Sequence, residues 1–468
     1  MMPRLALVAA FLTVTALASV APRVIHHLTR RPPNIIIVLT DDQRYDSLEH
    51  MPVVSGRLAT SAVRFRNAFV PTSQCCPSRA SILTGRYLND IDMGNLDPAV
   101  GPVLPAVGFH QSGGDAHTLA VWLKASGYRT ALLGKYMTGN NKLAPTIPPG
   151  WDEWFTCTAC KYSAALARYN DNGTIVAGQA YSTDELRQRA VAFIRENAER
   201  PFFLLFAPIA PHVGERGDVI PAPRHRGLLA SVPPYTGGAY LEADMTDKPK
   251  WLQRTSPLSP GRQAFVQDYH RKRLESLLAV DEAVGAILDA IEAIGCEDNS
   301  VVIFTTDNGY LLGDHHYIQK LLAYEPSIRV PLLIHAPNRA RSARTDDHLV
   351  LNIDLAATTL DLAGVRLPPM AGRSLVPFLD GSSVPWRQDF LLEYKTPVFP
   401  GPPDYIGVRT LTHKYVRSSD VWSGGSFEEL YDLSRDPDEL DNLLVVEPGV
   451  HDALAAALRA RARTLEAE

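Results

Sequence analysis

Four groups of polar residues have the types and positions expected of a catalytic site at the edge of a β-sheet. Each group follows an apolar, β-branched run, and the groups are Asp41-Asp42, Lys135, His212 and Asp307-Asn308. Ligands of open α/β sheets bind beyond the carboxyl ends of the strands, so we expect these side chains to meet on one rim. Any one group could instead cap a turn, because Asp and Asn are common directly after strands.

Together, these groups would bring three carboxylates, an amide oxygen, an ammonium group and an imidazole close to one another. Carboxylates that share one site repel each other unless a cation lies among them. Oxygen ligands suit Ca²⁺ or Mg²⁺ better than zinc, and Mn²⁺ also accepts them. The sequence therefore predicts one hard divalent cation at this rim, with Ca²⁺ as the first candidate.

The segment that begins at Cys75 carries the most specific pattern in the sequence. Residues 75–86 read Cys-Cys-Pro-Ser-Arg-Ala-Ser-Ile-Leu-Thr-Gly-Arg. The segment resembles the signature of the formylglycine-dependent (type I) sulfatases, C-x-P-S-R followed by L-T-G-R, without a gap. Together with Gly134-Lys135-Tyr136, it resembles the branch that contains the N-acetylglucosamine-6-sulfatases. The resemblance extends from about Asn34 to Leu444 and implies an alkaline-phosphatase-like α/β fold.

The resemblance also implies an unusual nucleophile at position 75. In this family the first Cys of the pentapeptide is oxidised by a formylglycine-generating enzyme, so Cys75 rather than Cys76 would become formylglycine. Hydrated formylglycine is a geminal diol, and one hydroxyl can take a sulfuryl group once the metal and Arg79 stabilise its alkoxide. The second hydroxyl then expels sulfate as the aldehyde reforms. The alternative is an unmodified, buried thiol at Cys75.

The other site residues follow from the resemblance position by position. Lys135 would bind the formylglycine and sulfate oxygens, while His212 and Lys320 would hold the substrate sulfate, and one of these two would protonate the leaving oxygen. Such a positively lined pocket suits a monoanionic sulfate ester. The implied metal ligands are Asp41, Asp42, Cys75, Asp307 and Asn308. A sugar 6-sulfate, such as N-acetylglucosamine 6-sulfate, is the expected substrate.

The sequence departs from the common family pattern at Met137. Many members have His two residues after the Lys, where it assists the formylglycine hemiacetal, and here that position is Met. His315 and His316, which lie between Asn308 and Lys320, are our candidates for this role.

The elements that position these residues are predicted from apolar runs that alternate with helical periods. This pattern favours a mostly parallel, mixed central sheet flanked by helices. The stretch 216–262 has no clear period and is predicted to be a long surface loop that either shapes a substrate pocket or decorates the surface. Ser182 and Glu185 form a candidate capping box for one helix, and a longer helix is predicted over 263–294, with Gly295 as its cap. The predicted strands are 34–40, 129–133, 202–207, 301–306 and 330–335.

A change of pattern near Gly381 predicts two domains. Residues 34–380 would form the catalytic α/β domain, and residues 381–468 a small C-terminal antiparallel α+β domain. The C-terminal prediction rests on short alternating strands and a final amphipathic helix, namely 390–393, 406–409 and a helix from about Pro448.

Residues 1–33 have the character of an export signal and linker. Arg4 precedes an uncharged run that ends in the small residues Ser19-Val20-Ala21, as is typical of a signal-peptide cleavage site. Because the run approaches the roughly 18 residues that span a bilayer, an uncleaved membrane anchor is the alternative. Either way, we expect a secreted or otherwise extracytoplasmic protein. In that compartment a local disulfide between Cys157 and Cys160 is favoured over a redox pair or half of a zinc site.

Composition and charge exclude some functions and leave others open. A formal net charge of −5 argues against a nucleic-acid partner, which normally meets a basic surface. The nearest alternative is a phosphate or phosphonate ester hydrolase on the same scaffold. A dianionic phosphate ester would favour extra positive charge or a second metal, and the sequence offers ligands for one. A third possibility is a non-catalytic binder of sulfated glycans in which Cys75 is unmodified.

Overall fold

The structure is a computed structural model that describes residues 31–93, 104–340, 342–395, 402–420 and 424–467. All but the last three residues of the predicted export or anchor segment, 1–33, lie outside these ranges, so that prediction stays a prediction. None of the helices in the described ranges is both long enough and apolar enough to cross a bilayer.

The described part of the chain contains both strands and α-helices, numbered in chain order. The strands are β1 Asn34–Thr40, β2 Val63–Phe65, β3 Ala68–Phe69, β4 Arg129–Gly134, β5 Glu153–Ala159, β6 Arg168–Asp171, β7 Thr174–Ala177, β8 Phe202–Ala207, β9 Ser300–Thr306, β10 Leu311–Leu312, β11 Ile318–Gln319, β12 Leu332–His335, β13 Arg344–Asp346, β14 Val350–Leu351, β15 Asp389–Tyr394, β16 Tyr405–Thr410, β17 His413–Asp420 and β18 Gly425–Asp432. The α-helices are α1 Cys75–Thr84, α2 Pro105–Gln111, α3 Leu119–Ala125, α4 Asn140–Leu143, α5 Ser182–Glu196, α6 Lys250–Gln253, α7 Pro260–Ala293, α8 Glu325–Ile328, α9 Asp354–Leu362, α10 Val376–Leu379, α11 Leu443–Val446 and α12 Asp452–Ala467.

A ten-stranded mixed sheet forms the centre of the fold, in the order β13-β2-β12-β9-β1-β8-β4-β5-β6-β7. β1 pairs in parallel with both β8 and β9, and β4 pairs in parallel with β8. β12 runs antiparallel to β9 and begins two residues later than predicted, since Pro331 has no N–H to donate to a neighbouring strand. The predicted α/β architecture with a mostly parallel, mixed sheet is confirmed.

Apolar layers cover both faces of this sheet. Alternate residues of β1 point to opposite faces, so Ile35 and Ile37 join one buried cluster while Ile36 and Val38 join the other. Helices α1, α3 and α9 pack on the first face, and α5 and α7 pack on the second. Burial on both faces explains why β1 reads as a continuous apolar run rather than an alternating one.

The predicted long helix is α7, which begins at Pro260 instead of 263. The hydroxyl of Ser259 accepts a hydrogen bond from the N–H of Arg262 (3.3 Å) and caps the helix. Gly295, just beyond the helix, has a left-handed backbone (φ +65°), which suits the predicted cap.

The predicted capping box of α5 is wrong. Ser182 is the first helical residue, and Tyr181 occupies the N-cap position without a side-chain cap. A capping hydroxyl needs the extended backbone of the N-cap position, so Ser182 cannot fill that role. Glu185 instead accepts a hydrogen bond from the N–H of Gln179 (3.1 Å). The predicted disulfide between Cys157 and Cys160 is present.

The stretch 216–262 is more ordered and more buried than the predicted surface loop. It contains α6 and the first residues of α7, and Lys248 within it is fully buried against Glu242 (3.0 Å). It also packs on the turn after β10, where the N–H of His315 donates to the carbonyl of Ala239 (3.0 Å). Short-range periodicity could not reveal the second contact, because His315 and Ala239 lie far apart in the chain.

The C-terminal part is an antiparallel sheet, β15-β16-β17-β18, with α12 packed over it. The predicted small antiparallel α+β unit is confirmed, while its boundary at 380/381 stays a prediction. Buried ion pairs join this sheet to α8 of the larger part, since Arg409 binds Glu325 (3.1 Å) and Nζ of Lys414 lies 3.4 Å from the same carboxylate. These contacts reach the segment that carries Lys320.

Glu393 in β15 should make stability depend on pH. Its carboxylate is buried and accepts a hydrogen bond from the N–H of Leu88 (2.7 Å). Burial raises the pKa of this carboxyl group from 4.5 to about 7. The folded state therefore keeps a proton that the unfolded chain loses, so this group stabilises the fold most below pH 4.5 and the benefit is lost as the pH rises to about 7.

We expect Glu393→Gln to remove this loss of stability at rising pH. Between about pH 5 and pH 8, the wild type should lose about 2 kcal/mol more of its free energy of unfolding than the variant does. Urea unfolding at the two pH values measures the difference, with the exposed Glu199→Gln as the control. Parallel pH profiles for wild type and Glu393→Gln would contradict the expectation.

Candidate active site

The carboxyl ends of β1 and β9 bring four of the predicted site residues together. The two strands pair in parallel and in register, so the residues that follow them lie at the same edge of the sheet. The N–H of Asp42 donates to Oδ1 of Asp307 (3.0 Å), and Nδ2 of Asn308 donates to Oδ1 of Asp42 (2.7 Å). We call Asp41, Asp42 and Asp307 the acidic cluster; all three, and Asn308, are buried.

Helix α1 places Cys75 beside the acidic cluster. Cys75 is the first residue of the helix, and its sulfur lies within 4.8 Å of carboxylate oxygens of Asp41 and Asp307. The positive end of the helix therefore faces the cluster at residue 75. The helix ends at Gly85, where a left-handed backbone (φ +71°) and the nearby Met370 leave no room for a side chain.

The surroundings of Cys75 favour a negative charge on that side chain. A hydrogen bond with Cys76 and the charges of Lys135 and Lys320 hold the pKa of the Cys75 thiol well below its usual range, although burial opposes them. An oxygen nucleophile formed at the same position would meet the same two ammonium groups.

Arg79 ties α1 to the acidic cluster. It lies one helical turn after Cys75, on the same face of α1. Its Nε donates to Oδ2 of Asp307 (2.7 Å), and its Nη1 donates to the backbone carbonyl of Lys135 (2.7 Å). Its Nη2 is buried, lies 3.6 Å from Oδ2 of Asp41, and has no hydrogen-bond partner among the described residues. The guanidinium is thus fixed, with one nitrogen available to an anion.

Two lysines and a histidine line the same site. Nζ of Lys135 contacts Asp41, and Nζ of Lys320 contacts Asp42. Nε2 of His212 lies 3.7 Å from Oδ2 of Asp42. The side chain of His212 is 25% exposed, whereas those of Lys135 and Lys320 are 8% and 10% exposed. The site therefore opens to solvent on the side of His212.

Neighbouring charges favour the ionised forms of Asp42 and Lys320. Burial raises the pKa of Asp42, but Lys320 and His212 outweigh it and hold that pKa below its ordinary range. Burial lowers the pKa of Lys320, yet Asp42 and the other acidic groups raise it well above the ordinary value. For Asp307, by contrast, burial and the charge of Asp41 prevail and raise the pKa.

The oxygen atoms of the site fit a hard divalent cation. Oδ1 of Asp41 and Oδ1 of Asn308 are buried and have no hydrogen-bond partner among the described residues. The amide nitrogen of Asn308 donates to Asp42 and to the carbonyl of Gly309, which leaves its Oδ1 as a free acceptor. Buried acceptors without partners are rare unless an ion or a water binds them. Carboxylate and amide oxygens are the donors that Ca²⁺, Mg²⁺ and Mn²⁺ prefer.

The two histidines considered as substitutes at Met137 are held by Glu242. Nδ1 of His315 lies 2.6 Å from Oε2 of Glu242, and the His315 ring packs on Tyr324. Nε2 of His316 lies 2.8 Å from the backbone carbonyl of Glu242. A role for either histidine in the chemistry stays a prediction.

Arg273 was not predicted from the sequence and lies directly behind the site. It donates to the backbone carbonyl of Asp42 and to that of Pro211 (3.1 Å), which immediately precedes His212. A sequence signal existed, since this charged residue falls in the apolar stripe of α7 between Tyr269 and Leu277.

A mixed, mostly parallel sheet flanked by helices, with the acidic cluster beyond its strands and α1 beside that cluster, has the fold of the alkaline-phosphatase-like class of α/β proteins. Within this class, the chain belongs to the sulfatase family. The family model described as "Sulfatase" matches residues 33–365. A second model, described as "N-sulphoglucosamine sulphohydrolase, C-terminal", matches residues 313–468.

Individual relatives agree with this family. The extracellular sulfatase SULF-1 homolog of Drosophila melanogaster is 33% identical over 78% of this chain, although the chain spans only 33% of that protein. The N-acetylglucosamine-6-sulfatase of Homo sapiens is 30% identical, covering 89% of this chain and 81% of the human protein. A solved protein in complex with its substrate D-glucosamine-2-N,6-O-disulfate has the same fold, with a TM-score of 0.79 at 24% identity over 93% of this chain and 98% of the other.

Proposed function

We propose that this protein hydrolyses sulfate esters with Cys75 matured to formylglycine and with one divalent cation in the acidic cluster. The observation that carries the proposal is the approach of the Cys75 sulfur to carboxylate oxygens of Asp41 and Asp307, all within 4.8 Å. Residue 75 comes from the helix that begins with the sulfatase-type pentapeptide, whereas the two carboxylates follow β1 and β9. Membership of the sulfatase family supports the same chemistry.

The proposed ligands of the cation are Asp41, Asp42, Asp307, Asn308 and residue 75. Ca²⁺ is the first candidate, and Mg²⁺ and Mn²⁺ accept the same donors. The cation would supply positive charge that favours an ionised nucleophile and binds sulfate oxygens. Hydrated formylglycine would supply two hydroxyl groups on one carbon, one to accept the sulfuryl group and one to expel sulfate.

The fixed charges of the site favour a monoanionic ester. The three carboxylates of the acidic cluster are matched by the three cationic side chains of Arg79, Lys135 and Lys320. A divalent cation added to this balanced set makes the site positive, which attracts a sulfate monoester. An ionised nucleophile at residue 75 would cancel one of the two added positive charges, which leaves one for a sulfate monoester. A phosphate monoester dianion would need further positive charge, so a sulfatase is favoured over the phosphoester alternative.

Arg79 and Lys135 are proposed to stabilise charge on residue 75 and on the sulfate. The carboxylate of Asp307 and the carbonyl of Lys135 already hold Nε and Nη1 of Arg79, so its Nη2 can serve a substrate oxygen without reorganisation. Lys135 reaches the same place from the end of β4, where its N–H donates to the carbonyl of Ala207 (2.7 Å). Both cations therefore approach residue 75 from rigid elements.

His212 is proposed to protonate the leaving oxygen, while Lys320 holds the sulfate. The ammonium group of Lys320 is engaged with Asp42, whereas Nε2 of His212 lies beyond hydrogen-bond distance of that carboxylate. Nδ1 of His212 is fixed 2.7 Å from the carbonyl of Val213, which orients the ring. Since the site opens beside His212, the leaving group would depart past this imidazole.

We expect His212→Gln to slow the hydrolysis of a sugar sulfate far more than that of an aryl sulfate. A sugar alkoxide needs a proton to leave, so kcat should fall by about 10²-fold or more. A nitrophenolate leaves without one, so its loss should stay below about tenfold. Lys320→Met is the matched comparison, because losing a sulfate contact should impair both esters alike. Equal losses on both esters in His212→Gln would contradict the acid role.

The proposal extends to a sulfated sugar, with N-acetylglucosamine 6-sulfate as the first candidate. The human relative named for that activity covers most of this chain and supports the choice. A formylglycine-generating enzyme is the partner that maturation would require. The extracellular fly relative supports a secreted or extracytoplasmic location, with residues 1–33 either cleaved or kept as an anchor.

A substrate panel tests the proposed function. Protein co-produced with a formylglycine-generating enzyme would be assayed with 4-nitrophenyl sulfate, 4-nitrophenyl phosphate, an aryl phosphonate monoester and N-acetylglucosamine 6-sulfate. We expect both sulfate esters to be hydrolysed in preference to the phosphorus esters. Faster turnover of a phosphorus ester would favour the phosphoester alternative. Binding of the sulfated sugar without hydrolysis would favour the non-catalytic binder.

A further inference from the structure

Arg273 is a buried cation whose contacts are not those of an ordinary structural ion pair. It lies in α7 and is 3% exposed. Its hydrogen-bond partners are two backbone carbonyls and the phenol of Tyr269 (3.3 Å). Its guanidinium packs over the ring of Tyr310, 4.1 Å from the ring centroid. A buried charge is costly, so a guanidinium held in this way calls for a role beyond packing.

The two carbonyls belong to the two adjacent loops that carry Asp42 and His212. Nη2 donates to the carbonyl of Asp42, and Nη1 donates to the carbonyl of Pro211 (3.1 Å). Asp42 is a proposed cation ligand, and the residue after Pro211 is the proposed acid, His212. A hydrogen bond also joins the loops directly, since the N–H of Asp41 donates to the carbonyl of Ala210 (3.2 Å).

The backbone at Asp42 needs such a restraint. Its φ of +67° lies in the left-handed region, which side chains other than glycine rarely adopt. Asp enters this region more readily than most other non-glycine residues, but surrounding contacts still stabilise the conformation. The hydrogen bond from Arg273 to the Asp42 carbonyl is one such contact, and the N–H of Asp42 is fixed by Asp307 (3.0 Å). Together they set the direction in which the Asp42 carboxylate points.

We propose that Arg273 is a positioning residue that holds Asp42 in its ligand conformation and sets the distance between Asp42 and His212. This inference rests on the cation site of the proposed function. Only a guanidinium presents two nitrogens in a fixed fork that can bind two carbonyls at once. A lysine at this position would keep the charge and hold one loop, and a methionine would hold neither.

Cation affinity tests the proposal without relying on turnover. Ca²⁺ would be titrated by calorimetry into the full-length wild type, Arg273→Met, Arg273→Lys and Arg271→Met. Arg271 lies on the same helix, pairs with Asp268 (2.7 Å) and has a 39% exposed side chain, so it is the matched control. We expect the Kd for Ca²⁺ to rise by about 10-fold or more in Arg273→Met, as is usual when a residue supporting a metal ligand is lost. The Kd of Arg273→Lys should lie between those of the wild type and Arg273→Met. The Kd of Arg271→Met should equal that of the wild type.

A second readout separates positioning from general stability. At saturating Ca²⁺, Arg273→Lys should still show an altered ratio of kcat for the sugar sulfate to kcat for the aryl sulfate, because His212 is displaced. A mere loss of stability would not change that ratio. If Arg273→Met fails to fold, Arg273→Lys decides alone: weaker Ca²⁺ binding with an altered ratio supports the proposal.

Wild-type values of Kd and of the kcat ratio in a folded Arg273→Lys or Arg273→Met variant would overturn the inference. A wild type that binds Ca²⁺ but hydrolyses no sulfate ester would contradict the proposed function. The comparison of Ca²⁺ affinities between the wild type and the Arg273 variants would still test the role of Arg273. A wild type that binds neither Ca²⁺, Mg²⁺ nor Mn²⁺ would overturn both.

Discussion

Replacing Cys75 with serine should stop the enzyme after a single sulfuryl transfer. Serine offers one hydroxyl group at the position where Lys135 and Lys320 favour an anion. That hydroxyl can attack sulfur, but no second hydroxyl on the same carbon exists to expel sulfate. We therefore expect steady-state turnover to fall by about 10³-fold or more, while a serine sulfate ester accumulates. Intact-mass analysis after incubation with an aryl sulfate should show an adduct of about 80 Da, the mass of one sulfuryl group.

Two further variants make the Cys75→Ser result specific. Cys75→Ala should lose turnover without forming the adduct, because it has no nucleophile. Cys296→Ser alters a free cysteine just after α7 and should keep wild-type turnover. Multiple turnovers by Cys75→Ser would contradict the need for two hydroxyl groups on one carbon.

The second large effect is expected for Asp307→Asn. The amide is the same size as the carboxylate and can still accept the hydrogen bond from the N–H of Asp42. It removes one negative charge, however, so the three cationic side chains of the site outnumber the remaining carboxylates. One unit charge pair about 4 Å apart is worth about 4 kcal/mol at an effective dielectric constant of 20, which corresponds to about 10³-fold in cation affinity.

Calcium titration and turnover measured on the same preparation test this expectation. The affinity for Ca²⁺ and the turnover should both fall in Asp307→Asn. A large excess of Ca²⁺ should restore only part of the turnover, since Arg79 also loses its charged partner, which lies 2.7 Å away in the wild type. Asp289→Asn, an exposed position on α7, is the control for removing a carboxylate elsewhere. Wild-type affinity for Ca²⁺ in Asp307→Asn would show that the acidic cluster is not the cation site.

The sequence predicted which polar residues lie together where they directly follow the ends of strands. β1 and β9 were visible as apolar runs, and the acidic and amide residues directly after them lie together because the two strands pair in parallel and in register. Cys75 was found through its pentapeptide, and α1 starts at that residue. Lys320 does not directly follow a predicted strand, because an irregular segment separates it from β9. The structure nevertheless places its ammonium group against the carboxylate of Asp42.

What the sequence did not predict depends on contacts between distant segments. The one sequence signal for Arg273 is its charge within the apolar stripe of α7, and that signal does not indicate the two carbonyls it binds. The stretch 216–262 lacks a period and is therefore predicted to be a surface loop, yet Lys248 within it is fully buried and donates to the carbonyl of the distant Leu440 (2.6 Å). The predicted capping box at Ser182 is wrong by one position, because the helix begins at Ser182 itself and its hydroxyl therefore cannot cap the helix.

The chemical state of residue 75 tests the central claim most directly. Mass spectrometry of the peptide that contains Cys75, taken from protein that hydrolyses a sulfate ester, should show a mass about 18 Da below that of the thiol form, as conversion to the aldehyde requires. Turnover should rise in proportion to the fraction of peptide with this lower mass. Full turnover from protein in which Cys75 remains an intact thiol would contradict the account.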